Sequence, residues 1–307
     1  MDPSFSPNEN YPFLSQFLLP ENYENKWDYR EALLNQLEKV WQRDKSSSNQ
    51  SNEYLNVREN VFAEVILQYY KEQYGNLVEE SLHNKNSFDI LFKNTSLLDS
   101  IIQSAFEFAF SDLPILKKRV DEELNKEYKF AKKSLQGKNK KLIHTQEEIK
   151  KLEFNTDDPD QRQLYKYYNN IKVELSNEID QLDERLLKLG EKLPLISKSD
   201  LKREFLLNNF VIFARGGYGR CELSFASDKD LGYCLDTHHL NVAEVEICRQ
   251  FIIHIEHLLR KAGIVTAHQY FELNEDLSRF KEPSTIHTIP SILGSRVLLG
   301  SKTLANA

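Results

Sequence analysis

The chain has 307 residues, 40% hydrophobic and 28% charged, with 18 Phe and 14 Tyr, enough to bury a substantial core in one large or two ordinary domains. A formal net charge of −7 argues against a general nucleic-acid binder, which is usually basic across its whole domain. Three cysteines make neither a disulfide framework nor a zinc-ligand spacing, no apolar run suits a membrane helix, and MDPSFSPNEN lacks the basic and apolar regions of a signal peptide. A reducing cytoplasm is the expected location, with no membrane partner.

Residues 1–20 hold four prolines with aromatics between them and read as an irregular arm. From there to Pro114 both helix breakers are almost absent, Gly75 being the one glycine, so a bundle of helices is expected. NKWDYREALLNQLEKVWQR carries an amphipathic stripe at Trp27, Leu33, Leu34, Leu37 and Trp41, and KSSSNQSN (45–52) is a polar loop. VRENVFAEVILQYYKEQYG and SLLDSIIQSAFEFAFSDL read as two more buried helices.

Two long stripes follow. The first runs Leu116, Val120, Leu124, Tyr128, Ala131, Leu135; the second runs Leu164, Tyr168, Ile171, Leu175, Ile179, Leu182, Leu186, Leu189. The turn NTDDPD between them predicts an antiparallel, partly coiled-coil-like hairpin that could support a homodimer. GEKLP is expected to end it, with Gly190 as C-cap and Pro194 as stop. Lys138, Lys140 and Lys141 make the first arm basic, as a solvated face or as a phosphate-binding surface. Beyond the hairpin the periodicity becomes mixed: strand candidates at 210–215, 229–235 and IVTAHQYFEL, with a helix over EVEICRQFIIHIEHLLRKAG. His254 and His257 lie one turn apart on that helix; with no third ligand in view they read as ordinary helix-face residues.

One segment stands apart. FARGGYGRCELSFASDKDLGYCLD holds four of the ten glycines and two of the three cysteines. A strand runs into Gly216 and Gly217, which allow positive φ and close approach of phosphate oxygens to backbone N–H groups. Ten residues further on come Asp228 and Asp230, whose i, i+2 spacing on a strand puts both carboxylates on one face. Two such carboxylates repel unless a cation lies between them, and hard oxygen donors suit Mg²⁺ or Mn²⁺. Phosphoryl or nucleotidyl transfer is the chemistry this combination predicts.

GGYGRCELSFASDKDL also resembles the motif of the bacterial PII uridylyltransferases, and is similar to that of the glutamine-synthetase adenylyltransferases, which share E-L-x-x-x-S-D-x-D. Both belong to the polymerase-β-like nucleotidyltransferase superfamily, and the similarity covers about residues 205–303. In the uridylyltransferases a helix, a Gly-His strand and an L-x-x-R-x-L-x-G helix follow the acidic pair; here HLLRKAGIVTAHQYFEL and SILGSRVLLGS stand in those places. The resemblance implies that Gly216 and Gly217 seat the triphosphate and that Asp228 and Asp230 hold Mg²⁺. It gives Ser227 the orientation of the first aspartate or a phosphate contact, with turn capping as the alternative. Arg220 would neutralise phosphate charge or instead pair with Glu222, and Arg215 is a further cation. Cys221 stands where the family usually has glycine; cysteine is tolerated there if φ is negative, and it narrows the turn's freedom. Glu272 is the acid available as a third carboxylate, and His268 aligns with the Gly-His position as a structural or basic group.

The expected fold is α+β. An N-terminal all-α region (1–114) and the hairpin (115–195) precede a small mixed-sheet nucleotidyltransferase domain (196–307). The expected activity is Mg²⁺-dependent transfer of UMP or AMP from an NTP to an acceptor hydroxyl, on a protein by analogy with both families. Three rivals stand beside it: a degenerate nucleotide-binding regulator, a scaffold working through the hairpin, and a toxin-like enzyme acting on RNA or a small molecule.

Overall fold

The computed structural model describes residues 29–44, 52–83, 87–152, 158–199, 201–272 and 295–300; the proline-rich arm and nearly all of the 45–52 loop lie outside them. Eight helices and four strands are described: α1 (Tyr29–Asp44), α2 (Asn52–His83), α3 (Ser87–Ser111), α4 (Leu113–Leu152), α5 (Pro159–Lys198), α6 (Arg203–Asn209), β1 (Phe210–Ala214), α7 (Gly216–Gly219), β2 (Asp230–Leu235), α8 (Val242–Lys261), β3 (Ala267–Glu272) and β4 (Arg296–Gly300). The fold is α+β, mostly helical with one small mixed sheet, and no described helix is long and apolar enough to cross a membrane. The chain divides into two compact units, residues 1–116 with 200–307, and residues 117–199.

In the first unit the sheet order is β3-β2-β1-β4; β1 runs antiparallel to β2 and β4, and β2 parallel to β3. Leu231, Tyr233 and Leu235 alternate along β2, share one face and are fully buried; Gly232 and Cys234 between them are buried on the other face. The Leu231 face meets α3 and α8 through an aromatic cluster. Phe106 lies edge-on to Phe251 with centroids 5.3 Å apart, and Phe210 stacks near Tyr233 at 6.2 Å. Asn241 starts α8 with a capping box: its Oδ1 accepts from the N–H groups of Ala243 and Glu244, and Glu244 reaches back to the Asn241 N–H at 2.9 Å. Of the first stripe, Leu33 and Leu37 are buried.

One expectation from the resemblance fails here. The L-x-x-R-x-L-x-G segment should be helical, yet Arg296–Gly300 is strand β4, paired with β1. Arg296 and Leu298 are buried while Val297 between them is less so, and that alternation belongs to a strand.

The second unit is the hairpin. Arg185 reaches Glu127 at 2.7 Å and Lys138 pairs with Glu178, so rising numbers on α4 meet falling numbers on α5, as antiparallel helices require. Lys138 is thus an ion-pair partner, while Lys140 and Lys141 are exposed. Asp158 caps α5, accepting from the Asp160 N–H at 2.9 Å, and Pro159 occupies the first turn, where its missing N–H loses nothing. The other end departs from expectation. α5 does not stop at Gly190 or Pro194 but continues to Lys198, where the Ser199 N–H closes on Leu195 and Ile196 carbonyls. Leu189 and Ile196 are both buried, so packing on either side of the proline holds the helix across it.

An interior proline removes one helical hydrogen bond and crowds the preceding turn. Pro194→Ala should restore that bond, and part of the gain is lost to a freer unfolded chain. The expected net stabilisation is about 1–2 kcal/mol, read as a raised thermal midpoint in circular dichroism; an unchanged or lower midpoint would contradict the helical continuity.

Candidate functional site

The Gly-rich segment is built on the end of β1. Arg215 is extended, and its N–H donates to the Asp230 carbonyl at 2.9 Å, prolonging the β1–β2 ladder by one bond. Gly216 then turns left-handed with φ +56°, a conformation that costs an L side chain roughly 1–2 kcal/mol. The single turn α7 follows, with Gly219 N–H on the Arg215 carbonyl at 2.9 Å and Glu222 N–H on the Gly217 carbonyl at 2.8 Å.

This turn brings the two halves of the motif together. A Cβ added to Gly216 would lie 3.2 Å from Asp230 Oδ2, so the second aspartate rests against the first glycine. Asp230 heads β2 and is half-buried; Asp228 is exposed in the loop before it. Among the described residues neither carboxylate has a hydrogen-bond or ion-pair partner. Gly217 differs from Gly216, because an added Cβ there would meet nothing closer than the Glu222 carbonyl at 3.9 Å. Among the described residues, a side chain at Gly217 would therefore meet only ordinary van der Waals contact.

Arg215 is buried beside this pair. Burial pulls its pKa below the ordinary arginine value, and the Asp230 charge opposes that shift. Arg220 and Glu222 form an ion pair at 2.9 Å, both partly exposed. Ser227 closes a turn, its Oγ accepting from the Ser224 N–H at 3.1 Å and lying 2.7 Å from the Ser224 hydroxyl. Cys221 does not meet the condition under which cysteine is easily tolerated there: at φ +60° it is the one described non-glycine residue in the left-handed region, and it is buried.

Glu272 and His268 are not brought to the acidic pair. In the parallel β2–β3 register Asp230 faces Ala267 and Leu235 faces Glu272, which puts Glu272 about 16 Å along the strand at ~3.3 Å per residue. The odd offset also sends Glu272 and His268 to the opposite face of the sheet from Asp230. The positions of β3 on the face of Asp230 are Ala267, Gln269 and Phe271, and none is acidic. Glu272 instead accepts from Arg249 at 2.7 and 2.9 Å and from the Tyr270 hydroxyl at 2.6 Å. His268 is exposed and its Nδ1 lies 2.9 Å from Glu256 of α8.

Sequence reasoning missed the anchor beneath the turn. Tyr218, fully buried, donates to Asp99 of α3 at 2.7 Å, and Arg296 of β4 grips the same carboxylate at 2.5 and 2.8 Å. Burial raises the Tyr218 hydroxyl well above its ordinary pKa, with the Asp99 charge adding to the shift, so it stays a proton donor. The available signal was a lone acid in the apolar run SLLDSII, which needs a partner when its helix is buried. The loop after α7 is pinned as well: Asn94 donates to the Leu223 carbonyl at 2.9 Å, and Phe225 lies edge-on to Tyr74.

No family model, curated protein or solved structure matches the chain. What the site can do chemically therefore rests on its residues: a glycine turn, two carboxylates that make no hydrogen bond or ion pair among the described residues, and a buried guanidinium.

Burial alone would raise the Glu272 carboxyl, but hydrogen bonds from Arg249 and Tyr270, with the Arg249 charge, hold it below the usual glutamate range. A carboxylate depressed in the fold contributes stability above its unfolded pKa, and loses that contribution as pH falls through the folded value. Glu272→Gln should lower stability at neutral pH by about 1 kcal/mol and flatten its decline in acid, as measured by urea unfolding across pH.

Proposed function

We propose that the chain is a Mg²⁺-dependent nucleotidyltransferase that moves UMP or AMP from an NTP to an acceptor hydroxyl on a protein. The observation that carries this reading is the contact of Gly216 with Asp230, which joins a phosphate-friendly turn to an acidic pair that makes no hydrogen bond or ion pair among the described residues. The resemblance to the PII uridylyltransferase motif supports it over the same residues.

The donor set fits the metal. Asp228 and Asp230 supply hard carboxylate oxygens, and among the described residues nothing neutralises them by direct contact. These two side chains would hold Mg²⁺, which would polarise the α-phosphate. The Gly217 backbone would meet the triphosphate, since among the described residues no atom comes closer than 3.9 Å to where its Cβ would stand. Arg215 offsets the Asp230 charge from the buried side. Arg220 can exchange Glu222 for a phosphate oxygen at little cost, because a partly exposed pair contributes only about 0–1 kcal/mol. In the transfer the acceptor oxygen bonds to the α-phosphorus, the α–β bridging bond breaks and pyrophosphate leaves. With Glu272 and His268 on the other face, the acceptor proton goes to Asp228 or Asp230, directly or through water.

A second reading is favoured by a specific observation: Glu272 is bound to Arg249 and Tyr270 away from the pair, and β3 shows no acid on the face of Asp230. A site of two carboxylates could bind nucleotide as a regulator without turning it over.

Incubation with each labelled NTP, Mg²⁺ or Mn²⁺ and cell lysate separates the readings. Label is expected on a protein band, reduced at least about 100-fold by Asp228→Ala or Asp230→Ala. Gly217→Ala should fold with an unchanged thermal midpoint yet lose nucleotide binding, because its methyl fills space only a ligand uses. Label on RNA or a small molecule transfers the reading to the toxin-like class. Binding by calorimetry without label establishes the regulator, and neither leaves a scaffold working through the hairpin.

A further inference from the structure

Between α2 and α8, the structure supplies the third ligand that His254 and His257 lack in sequence. Glu59 of α2, itself buried, points Oε1 at both rings, 3.5 Å from His254 Nδ1 and 3.4 Å from His257 Nδ1. Among the described residues this is the one group of three His, Cys, Asp or Glu side chains whose ligand atoms all lie within 4.8 Å of one another. We propose that Glu59, His254 and His257 form a binding site for a zinc-type divalent cation that ties α2 to α8.

Geometry supports a metal over a plain ion-pair cluster. Tetrahedral zinc with ligands at about 2.1 Å separates neighbouring ligand atoms by about 3.4 Å, and both Glu59–imidazole distances match. Those separations are too long for good hydrogen bonds and leave room for an ion between the atoms. The other atom of each buried ligand is already occupied. His254 Nε2 lies 3.1 Å from Asp112 Oδ2; in the carboxylate–histidine arrangement of metal sites Nε2 would give its proton to Asp112 and Nδ1 would present its lone pair to an ion beside Glu59. Asp112, wholly buried, is held in turn by Arg58 at 2.6 Å, and Lys261 takes Glu59 Oε2 at 2.7 Å, leaving Oε1 as a single donor. His257 is about half-exposed, so a fourth position can be filled from solvent. Imidazole nitrogen selects zinc or a similar transition ion over Mg²⁺, so this site and the Asp228–Asp230 pair differ in the metal they take.

The test uses the full-length, untagged chain stripped with a chelator and titrated with Zn²⁺ against a chromophoric competitor, with Co²⁺ as a spectroscopic probe. The expected result is one Zn²⁺ per chain, a raised thermal midpoint and visible Co²⁺ absorption of a four- or five-coordinate ion. His257→Ala, at a half-exposed position, should match the native midpoint in chelator and weaken Zn²⁺ at least about 100-fold; Glu59→Gln should weaken it similarly. The Asp228→Ala/Asp230→Ala double variant should bind Zn²⁺ as the native chain does. A native chain that takes up no Zn²⁺, stoichiometric binding that survives His257→Ala, or binding lost in the double aspartate variant each overturns the proposal.

Discussion

The antiparallel pairing of β1 with β2 is the constraint on which the candidate site depends. Its register runs from Phe210 opposite Leu235 to Ala214 opposite Leu231, and closes with the Arg215 N–H on the Asp230 carbonyl. A slip of one residue would turn Asp230 to the packed face and Leu231 to the other. Phe213 guards against that slip: its ring lies over Gly232, where an added Cβ would come within 2.2 Å of it. With the register set, the residue after Arg215 has to turn back over Asp230, and glycine takes the left-handed conformation this requires.

The helices serve this ladder from its packed side. Phe106 and Phe251 press on Phe210, and the Asp99 carboxylate gathers Tyr218 from the turn and Arg296 from β4. A carboxylate in a buried helix would be strongly unfavourable alone; held by a bidentate guanidinium and a tyrosine hydroxyl it becomes the tie between α3, α7 and the edge strand. The rigidity of the glycine turn therefore comes from beneath it. Cys221, beyond α7, takes its left-handed φ while buried and with its N–H on the Tyr218 carbonyl at 3.1 Å.

Two groups of ionisable residues emerge with different chemistry. Asp228 and Asp230 are oxygen donors near the surface, suited to a metal shared with phosphate. Glu59, His254 and His257 are mostly buried and backed by Asp112, Arg58 and Lys261, an arrangement suited to a resident ion. One lies at the end of β2 against the glycine turn, and the other joins helices distant in sequence.

Local pattern determined a good deal. Breaker-poor stretches became α2 and α3, the four-and-three stripes became α4 and α5, and alternation marked β2. Within the motif, the spacing of glycines and aspartates already implied that they meet, and Gly216 does lie against Asp230. Local rules misjudged Gly190 and Pro194, because burial of Leu189 and Ile196 outweighs a breaker's local penalty. Which face Glu272 joins depends on the β2–β3 register, and no residue in the strand itself encodes that. The partners of His254 lie far off in the chain: Glu59 on α2, and Asp112 in the turn between α3 and α4, 142 positions away. The sequence by itself determined which segments are helix and strand and where glycine and acid concentrate, since those follow from near neighbours. Only the tertiary structure decided which charges meet, because strand register and helix packing bring together residues that no short-range spacing connects.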